Sequence, residues 1–429
     1  MNYPDRRSAT PMNRRQFLAV SAALGLSACS HGLRSSRNAA KVVVVGGGYG
    51  GSTAARYLKL LAPEIDVTLV DPEPAYLSCP GSNEVLAGWH DMAWLQRSRD
   101  RLSSRFGIRL IRSSAASIDT TFRRVRLDDG TVLAYDRLIL SPGIAMRWDA
   151  LEGYDQAAAE LAPHAWRAGP QTQLLRSQIQ AMPDGGVILI CVPANPYRCP
   201  PGPYERASLI AHFLSRRKPR SKIIILDAKT QFSKQALFQK GWNDLYPGLI
   251  EWISSEKEGR IDHVDAQRRI VTTEFGEHRA AVLNVIPPQK AGAIAERAGL
   301  TDVSGWCPVD PRSFESTLQP CIHVIGDACI ATPMPKSAFA ANSQAKVCAA
   351  AVIDLLADKR PGLPALINHC YSLLAPDYAI SINGVYEYTE ETRELLAVAG
   401  GETPMDADRQ EEARFAHDWL RHIAADSFS

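Results

Sequence analysis

Gly46, Gly48 and Gly51 stand in the spacing G-x-G-x-x-G, directly after the four valines Val42 to Val45. That spacing serves the cradling of a pyrophosphate. The first glycine allows a tight turn, the second lets backbone approach the phosphates, and the third lets a helix pack closely on the strand. Asp71 lies twenty residues beyond Gly51, at the end of a second apolar run, Val67 to Val70. A carboxylate there is placed to bind a ribose hydroxyl. The other reactive groups are nine cysteines, which form no C-x-x-C pair, no zinc spacing and no C-x-x-C-H haem site. The ten histidines form no H-x-x-x-H pair near a carboxylate. The sequence thus carries no metal signature, and any haem chemistry must come from another chain.

These residues need a scaffold, and the chain reads as one in order. Val42 to Val45 is a strand buried on both faces, and a helix over Ser52 to Leu61 aims its positive N-terminal dipole at the phosphates. Cys79 lies eight residues past Asp71 in the loop PEPAYLSCPGSNEVLAG, so it should still be near the nucleotide. A buried or disulfide-bonded cysteine is the other reading. Strands over Arg124 to Leu127 and Thr131 to Leu133 flank the turn Asp128-Asp129-Gly130, and Tyr135 to Gly143 is a strand ending in a small-residue turn.

A second nucleotide-type unit begins with strands at Val187 to Val192 and Lys222 to Asp227. Between them, where a nicotinamide-binding unit would carry its glycines, stands PANPYRCPPGPYER, residues 193–206. Pro200, Pro201 and Pro203 lack the N–H groups that cradle phosphate, and Arg198, Cys199 and Tyr204 bring side chains where backbone must come close. The unit keeps the shape and loses the nucleotide, which argues against NADH as reductant. Ile322 to Ala328 then reads as a strand ending in Gly326-Asp327, and in flavin domains an aspartate there bonds the ribityl chain of FAD. Lys336-Ser337 precede a helix over Ala338 to Leu356, whose dipole should face the flavin's pyrimidine edge. FAD is therefore a better ligand than NAD. A Gly/Pro break at Pro361 to Pro364 opens a C-terminal region containing Asn368, His369 and Cys370, and the last stretch carries no legible motif.

A length of 429 residues suggests two or three domains, and 45% apolar with 22% charged residues is a globular composition with no apolar run long enough to span a bilayer. A net charge of +2 gives no reason to expect nucleic acid. Residues 12–30, MNRRQFLAVSAALGLSACS, have paired arginines, a short apolar core and small residues, the pattern of twin-arginine export to the periplasm. Leu26-Ser27-Ala28-Cys29 resembles a lipobox, which would anchor the chain through Cys29; an ordinary cleavage site is the alternative, and Met12 is a possible start. The expected fold is α/β. A signal peptide over 1–29 and a linker over 30–39 precede an FAD domain over 40–150 and 290–358. A second Rossmann-like domain covers 151–289, and a small α+β domain covers 359–429.

The motifs CPGSNEVLAG, RCPPGPYERAS, GWCPVD, VIGDACIATPMPKSAFAANSQAK and HCYSLLAPDYAIS resemble the flavoprotein subunit of flavocytochrome c sulfide dehydrogenase, from about Lys41 to the end of the chain. That resemblance implies the disulfide-reductase fold, hydrosulfide as substrate and a c-type cytochrome as electron acceptor. It implies that Cys79 bonds the flavin 8α-methyl carbon, although Pro80 and Gly81 depart from the bulkier residues in one branch of the family. It implies that Cys199 and Cys370 form a redox disulfide beside the flavin, and that Glu205 is the acid–base. Hydrosulfide would attack that disulfide, leaving a persulfide on one cysteine and a thiolate on the other. A purely structural staple is the alternative for the cysteine pair, as an exposed helix-terminal carboxylate is for Glu205. Cysteines 191, 307, 321, 329 and 348 read as buried thiols. A sulfide:quinone oxidoreductase and a non-enzymatic flavin-bearing partner of a sulfur-oxidation complex remain as other functions.

Overall fold

The computed structural model describes residues 39–429; the export signal, Cys29 and nearly all of the expected linker lie outside the described residues. The first sheet has eight strands, and five of them run parallel in the order Ile322–Val324, Arg137–Leu140, Lys41–Val45, Asp66–Val70 and Arg109–Ile111. Val42 to Val45 sit at its centre with at most 6% exposure, because strands covered on both faces must be apolar without alternation. The helix after the glycines starts at Tyr49, three residues earlier than expected, and ends at Leu61 as expected. The strand expected over Ile322 to Ala328 stops at Val324, and Gly326 to Ala328 form a 3-10 turn. Gly326, at a φ of +75°, bends the backbone there and donates its N–H to Gln344 Oε1 at 2.8 Å.

A second sheet of four parallel strands follows the order Ile250–Ile253, Lys222–Asp227, Val187–Val192 and Val282–Val285. The chain then returns to the first sheet, so segments on either side of the second sheet complete the first. The mixed α/β architecture with parallel sheets is the expected one.

The stretch without a legible motif is the most regular part of the chain. Ala365–Ala375, Tyr378–Thr389 and Glu394–Glu402 form an antiparallel sheet, with Pro376 and Asp377 between the first two strands. A helix, Arg409–Phe428, packs on it, capped by the Asp408 carboxylate, which accepts from Gln410 N at 2.9 Å and Glu411 N at 3.2 Å. Its far end grips the glycine-loop helix. Asp426 pairs with Arg56 at 2.9 Å, Thr53 donates to Ser427 at 2.9 Å, and Phe428 stacks on Tyr76 at 5.6 Å.

Candidate active site

At the glycine loop, the spacing is enforced by contact. A Cβ on Gly51 would stand 1.8 Å from Gly46 O, so only glycine lets this helix start so close to the strand. Gly46 takes a φ of +97°, and its N–H donates to Val70 O at 2.9 Å. Gly48 lies against the Tyr76 ring, 3.3 Å from where its Cβ would be. Asp71 closes the loop from the neighbouring strand. Its carboxylate accepts from Gly47 N at 2.6 Å, Glu73 N at 3.0 Å and Arg99 Nη2 at 2.9 Å, which leaves one of its roughly four acceptor positions toward a ribose. Arg99, whose role the sequence did not disclose, also donates to Gly47 O at 2.8 Å.

Asp327 supplies the second feature a dinucleotide would need. Its Oδ1 is buried with no hydrogen-bond partner, and its Oδ2 is 3.6 Å from Arg198 Nη1. A buried acceptor without a donor costs free energy, so this oxygen fits a ligand hydroxyl. Gly143, at the turn after its strand, accepts from Gly292 N at 2.9 Å and ties down the returning chain. Cys79 is half-buried, with Ser82 N donating to its carbonyl at 3.0 Å. These residues fit a flavin dinucleotide.

Lys336 lies beside the Gly-Asp turn. Its ammonium donates to Asp327 O at 2.8 Å and Cys329 O at 2.7 Å and covers the Trp306 ring at 3.9 Å. Its charge therefore braces the Gly-Asp turn. Ser337 caps the long helix Ala338–Leu356, accepting from Ala340 N at 3.0 Å and donating to Asn368 Oδ1 at 2.7 Å.

The third group assembles around Cys199. The proline-rich loop holds this cysteine in the left-handed region at a φ of +57°, with its N–H donating to Lys336 O at 2.8 Å. Such a conformation in a residue with a side chain costs free energy. Gly202, which starts the helix Gly202–Arg217, packs so tightly that its Cβ would lie 3.0 Å from Cys199 Sγ. Glu205, in the first turn, accepts from Asn83 Nδ2 at 2.8 Å and from Leu373 N at 3.0 Å. It is thus locked to the strand that carries Cys370, and it is not an exposed helix-terminal carboxylate. Burial raises its pKa, against those two hydrogen bonds and the charges of Lys234 and Arg206.

Cys370 sits on Ala365–Ala375, its thiol 3.5 Å from Asn368 Oδ1. Cys199 and Cys370 carry free thiols here, where a disulfide was expected; all eight cysteines among the described residues are unbonded. Cys199 is exposed, yet the protein packed around its sulfur, and after it the Glu205 charge, push its thiol far up. Burial also raises Cys370, while Lys234 draws it back down. Burial thus disfavours the thiolate at both, and more strongly at Cys199. Of the five cysteines expected to be buried, Cys321 is half-buried and the other four are buried.

Three residues at this site went unassigned in the sequence. Asn83 lies inside a recognisable motif, so position could have drawn attention to it. Arg206, 2% exposed, donates to Asn83 Oδ1 at 3.2 Å, Asn284 Oδ1 at 2.9 Å and the carbonyls of His164 and Ala165 at 2.9 and 2.6 Å. Lys234 has no sequence signal at all, since it arrives from the second sheet's connection. Among the described residues no group of His, Cys, Asp or Glu could hold a metal ion, and no helix is long and apolar enough to cross a membrane.

Three family matches span most of the described residues. Residues 172–287 match the central domain of the sulfide dehydrogenase (flavocytochrome c) flavoprotein chain, and residues 363–428 match the flavocytochrome c sulphide dehydrogenase flavin-binding domain. Residues 40–181 match pyridine nucleotide-disulphide oxidoreductase. A sulfide dehydrogenase (flavocytochrome c) flavoprotein chain from Chlorobaculum thiosulfatiphilum is 58% identical over 45 residues, 10% of this chain and 94% of that sequence. The mitochondrial sulfide:quinone oxidoreductase of Mus musculus is 22% identical over 376 residues, 84% of this chain and 81% of that one. The solved sulfide:quinone oxidoreductase of Aquifex aeolicus shares the fold with a TM-score of 0.69 at 17% identity, over 90% of this chain and 92% of that one. The chain belongs to the family of flavocytochrome c sulfide dehydrogenase flavoprotein chains.

Proposed function

We propose that the chain is a flavoprotein that oxidises hydrosulfide at Cys199 and Cys370 and passes the electrons to a c-type cytochrome. The observation that carries the reading is the lock between the two cysteine-bearing elements. Glu205, six residues after Cys199, accepts from the backbone N–H of Leu373, three residues after Cys370. In the oxidised protein the two sulfurs form a disulfide. Hydrosulfide attacks one sulfur, a new S–S bond forms as the old one breaks, and a persulfide and a thiolate remain. Glu205, with its raised pKa, takes the proton that sulfide brings. A second hydrosulfide releases the oxidised sulfur and leaves the dithiol. The glycine loop, Asp71 and Asp327 would hold a flavin and Cys79 would tether it; when bound, it would supply the oxidant that takes the dithiol's two electrons, so that the Cys199–Cys370 disulfide re-forms with loss of two protons. Export by the twin-arginine route to the periplasm, with or without a lipid on Cys29, would place the protein with its cytochrome.

Anaerobic titration with sulfide, with NADH as control, tests this. Sulfide alone should bleach the flavin, and Cys199→Ser or Cys370→Ser should abolish bleaching with flavin still bound. Bleaching by NADH alone, or full activity in either variant, would overturn the scheme. Flavin that stays with acid-precipitated wild-type protein and washes off Cys79→Ser identifies the tether. Quinone is the second acceptor, favoured by the extent of the Mus musculus match. Reduction of a short-chain quinone but not of cytochrome c would select it.

A further inference from the structure

Lys234 lies outside every motif and is 1% exposed, an ammonium far inside the protein. A buried cation needs a negative partner, and no ion pair is formed by its side chain among the described residues. Its Nζ donates to Ser372 Oγ at 2.8 Å. Ser372 and Cys370 are two apart on one strand, so their side chains leave the same face of the sheet. Asn368 continues that row toward Ser337, with Cys370 Sγ 3.5 Å from Asn368 Oδ1.

The backbone of Lys234 is held for this purpose. It adopts a φ of +61°, left-handed like Cys199, and its N–H donates to the Glu402 carboxylate at 2.9 Å. Glu402 thus fixes the start of the helix Gln235–Leu245 and directs the side chain inward. Burial lowers the pKa of Lys234 to about 8, opposed by Cys370, Glu205, Cys199 and Glu402. Near neutral pH the amine remains largely protonated.

We propose that Lys234 is the counter-ion of a Cys370 thiolate in the reduced cysteine pair. This inference deepens the sulfide-oxidising reading and rests on it. Two-electron reduction breaks the S–S bond and leaves two sulfurs that must share the charge and take up protons. The charges are unequal around them. Burial is the largest cause at each sulfur and raises both; after it, Lys234 leads in drawing Cys370 down, whereas Glu205 and then Cys370 oppose ionisation of Cys199 against Arg198 and Lys234. Glu205 also opposes Cys370, but as the smallest influence. His369 and Tyr386 feel Lys234 and Cys370 respectively, and both are neutral near pH 7, since burial lowers His369 to about 4 and raises Tyr386. The buried ammonium on the Cys370 face of the strand, and the Glu205 carboxylate acting on Cys199, make Cys370 the first of the two sulfurs to ionise as pH rises. Lys234 acts through this sulfur and is a positioning residue.

The test is differential alkylation of the dithionite-reduced holoprotein across pH 6–10, with each cysteine followed by peptide mass spectrometry. Cys370 should ionise below Cys199. Lys234→Met should slow Cys370 alkylation at pH 8 at least ten-fold and leave Cys199 within two-fold, while Lys234→Arg should restore the Cys370 rate. Flavin content and far-UV circular dichroism establish that each variant is folded, and Lys234→Arg keeps the test decisive if Lys234→Met is not. Ionisation of Cys199 below Cys370, or no change in Lys234→Met, overturns the inference. So does a Lys234→Arg protein whose Cys370 is as slow as a thiol without a counter-ion. Sulfide bleaching of the wild-type flavin is read in parallel. Bleaching with an unmoved Cys370 discards Lys234 and leaves sulfide oxidation standing. No bleaching with a shifted Cys370 discards sulfide oxidation, and with it the function inferred for Lys234.

Discussion

Asn83 and Glu84 are neighbours in sequence that meet Glu205 differently. Asn83 stabilises its charged form by donating a hydrogen bond, whereas Glu84 brings a second carboxyl near it. Burial first, and the Glu205 charge second, push Glu84 up to about 8; His90 Nε2 lies 3.4 Å from its Oε2. The folded protein therefore holds a proton on Glu84 that the unfolded chain releases above pH 4.5. The stabilisation that this proton represents is complete below that pH and is lost as pH rises toward 8. Glu84→Gln should flatten the fall in stability between pH 5 and 8, by on the order of 2–4 kcal/mol. Urea midpoints at both pH values check this, and parallel falls in the two proteins would assign the effect elsewhere. At this scale the sequence was readable where a residue acts through its own position, as with Gly51 against Gly46. Lys234 and Arg206 act through what folding brings to them, and no local spacing records that.

Helix starts do much of the positioning. Ser337 both caps its helix and fastens it to Asn368 on the strand of Cys370. Ser337→Ala should cost about 1–2 kcal/mol and loosen the Cys370 strand, seen as faster hydrogen exchange over residues 365–375. Gly51→Ala is more severe, since nothing but backbone is available to yield at 1.8 Å. It should give protein that purifies without flavin, and a variant with full flavin content would mean the loop can open. The elements were legible in proportion to their apolar continuity. The helix Ala338–Leu356 and the strands Val187–Val192 and Lys222–Asp227 stand where their residues place them. The C-terminal strands did not announce themselves, because one face is partly exposed and their inward side chains at Asn368, Cys370 and Ser372 are polar. A period-two pattern with polar residues on the inner face looks like no pattern.

In the molecule as a whole, the first sheet is completed by a strand that arrives late. Ile322–Val324 must slot beside Arg137–Leu140, and the entire second sheet is made in between. A ribosome that has delivered the glycine loop, Asp71 and Cys79 has therefore not yet delivered Asp327 or the fifth parallel strand. Until then Arg137–Leu140 presents an unpaired edge, a hazard for aggregation. Nascent chains halted near residue 300 should be readily cleaved by protease within residues 40–140 and should retain no flavin, whereas chains released beyond residue 360 should resist. Equal resistance at both lengths would mean that the early strands close on their own. Flavin loading is therefore expected of the nearly finished polypeptide, and the order of translation would then set the earliest moment at which this protein can become coloured.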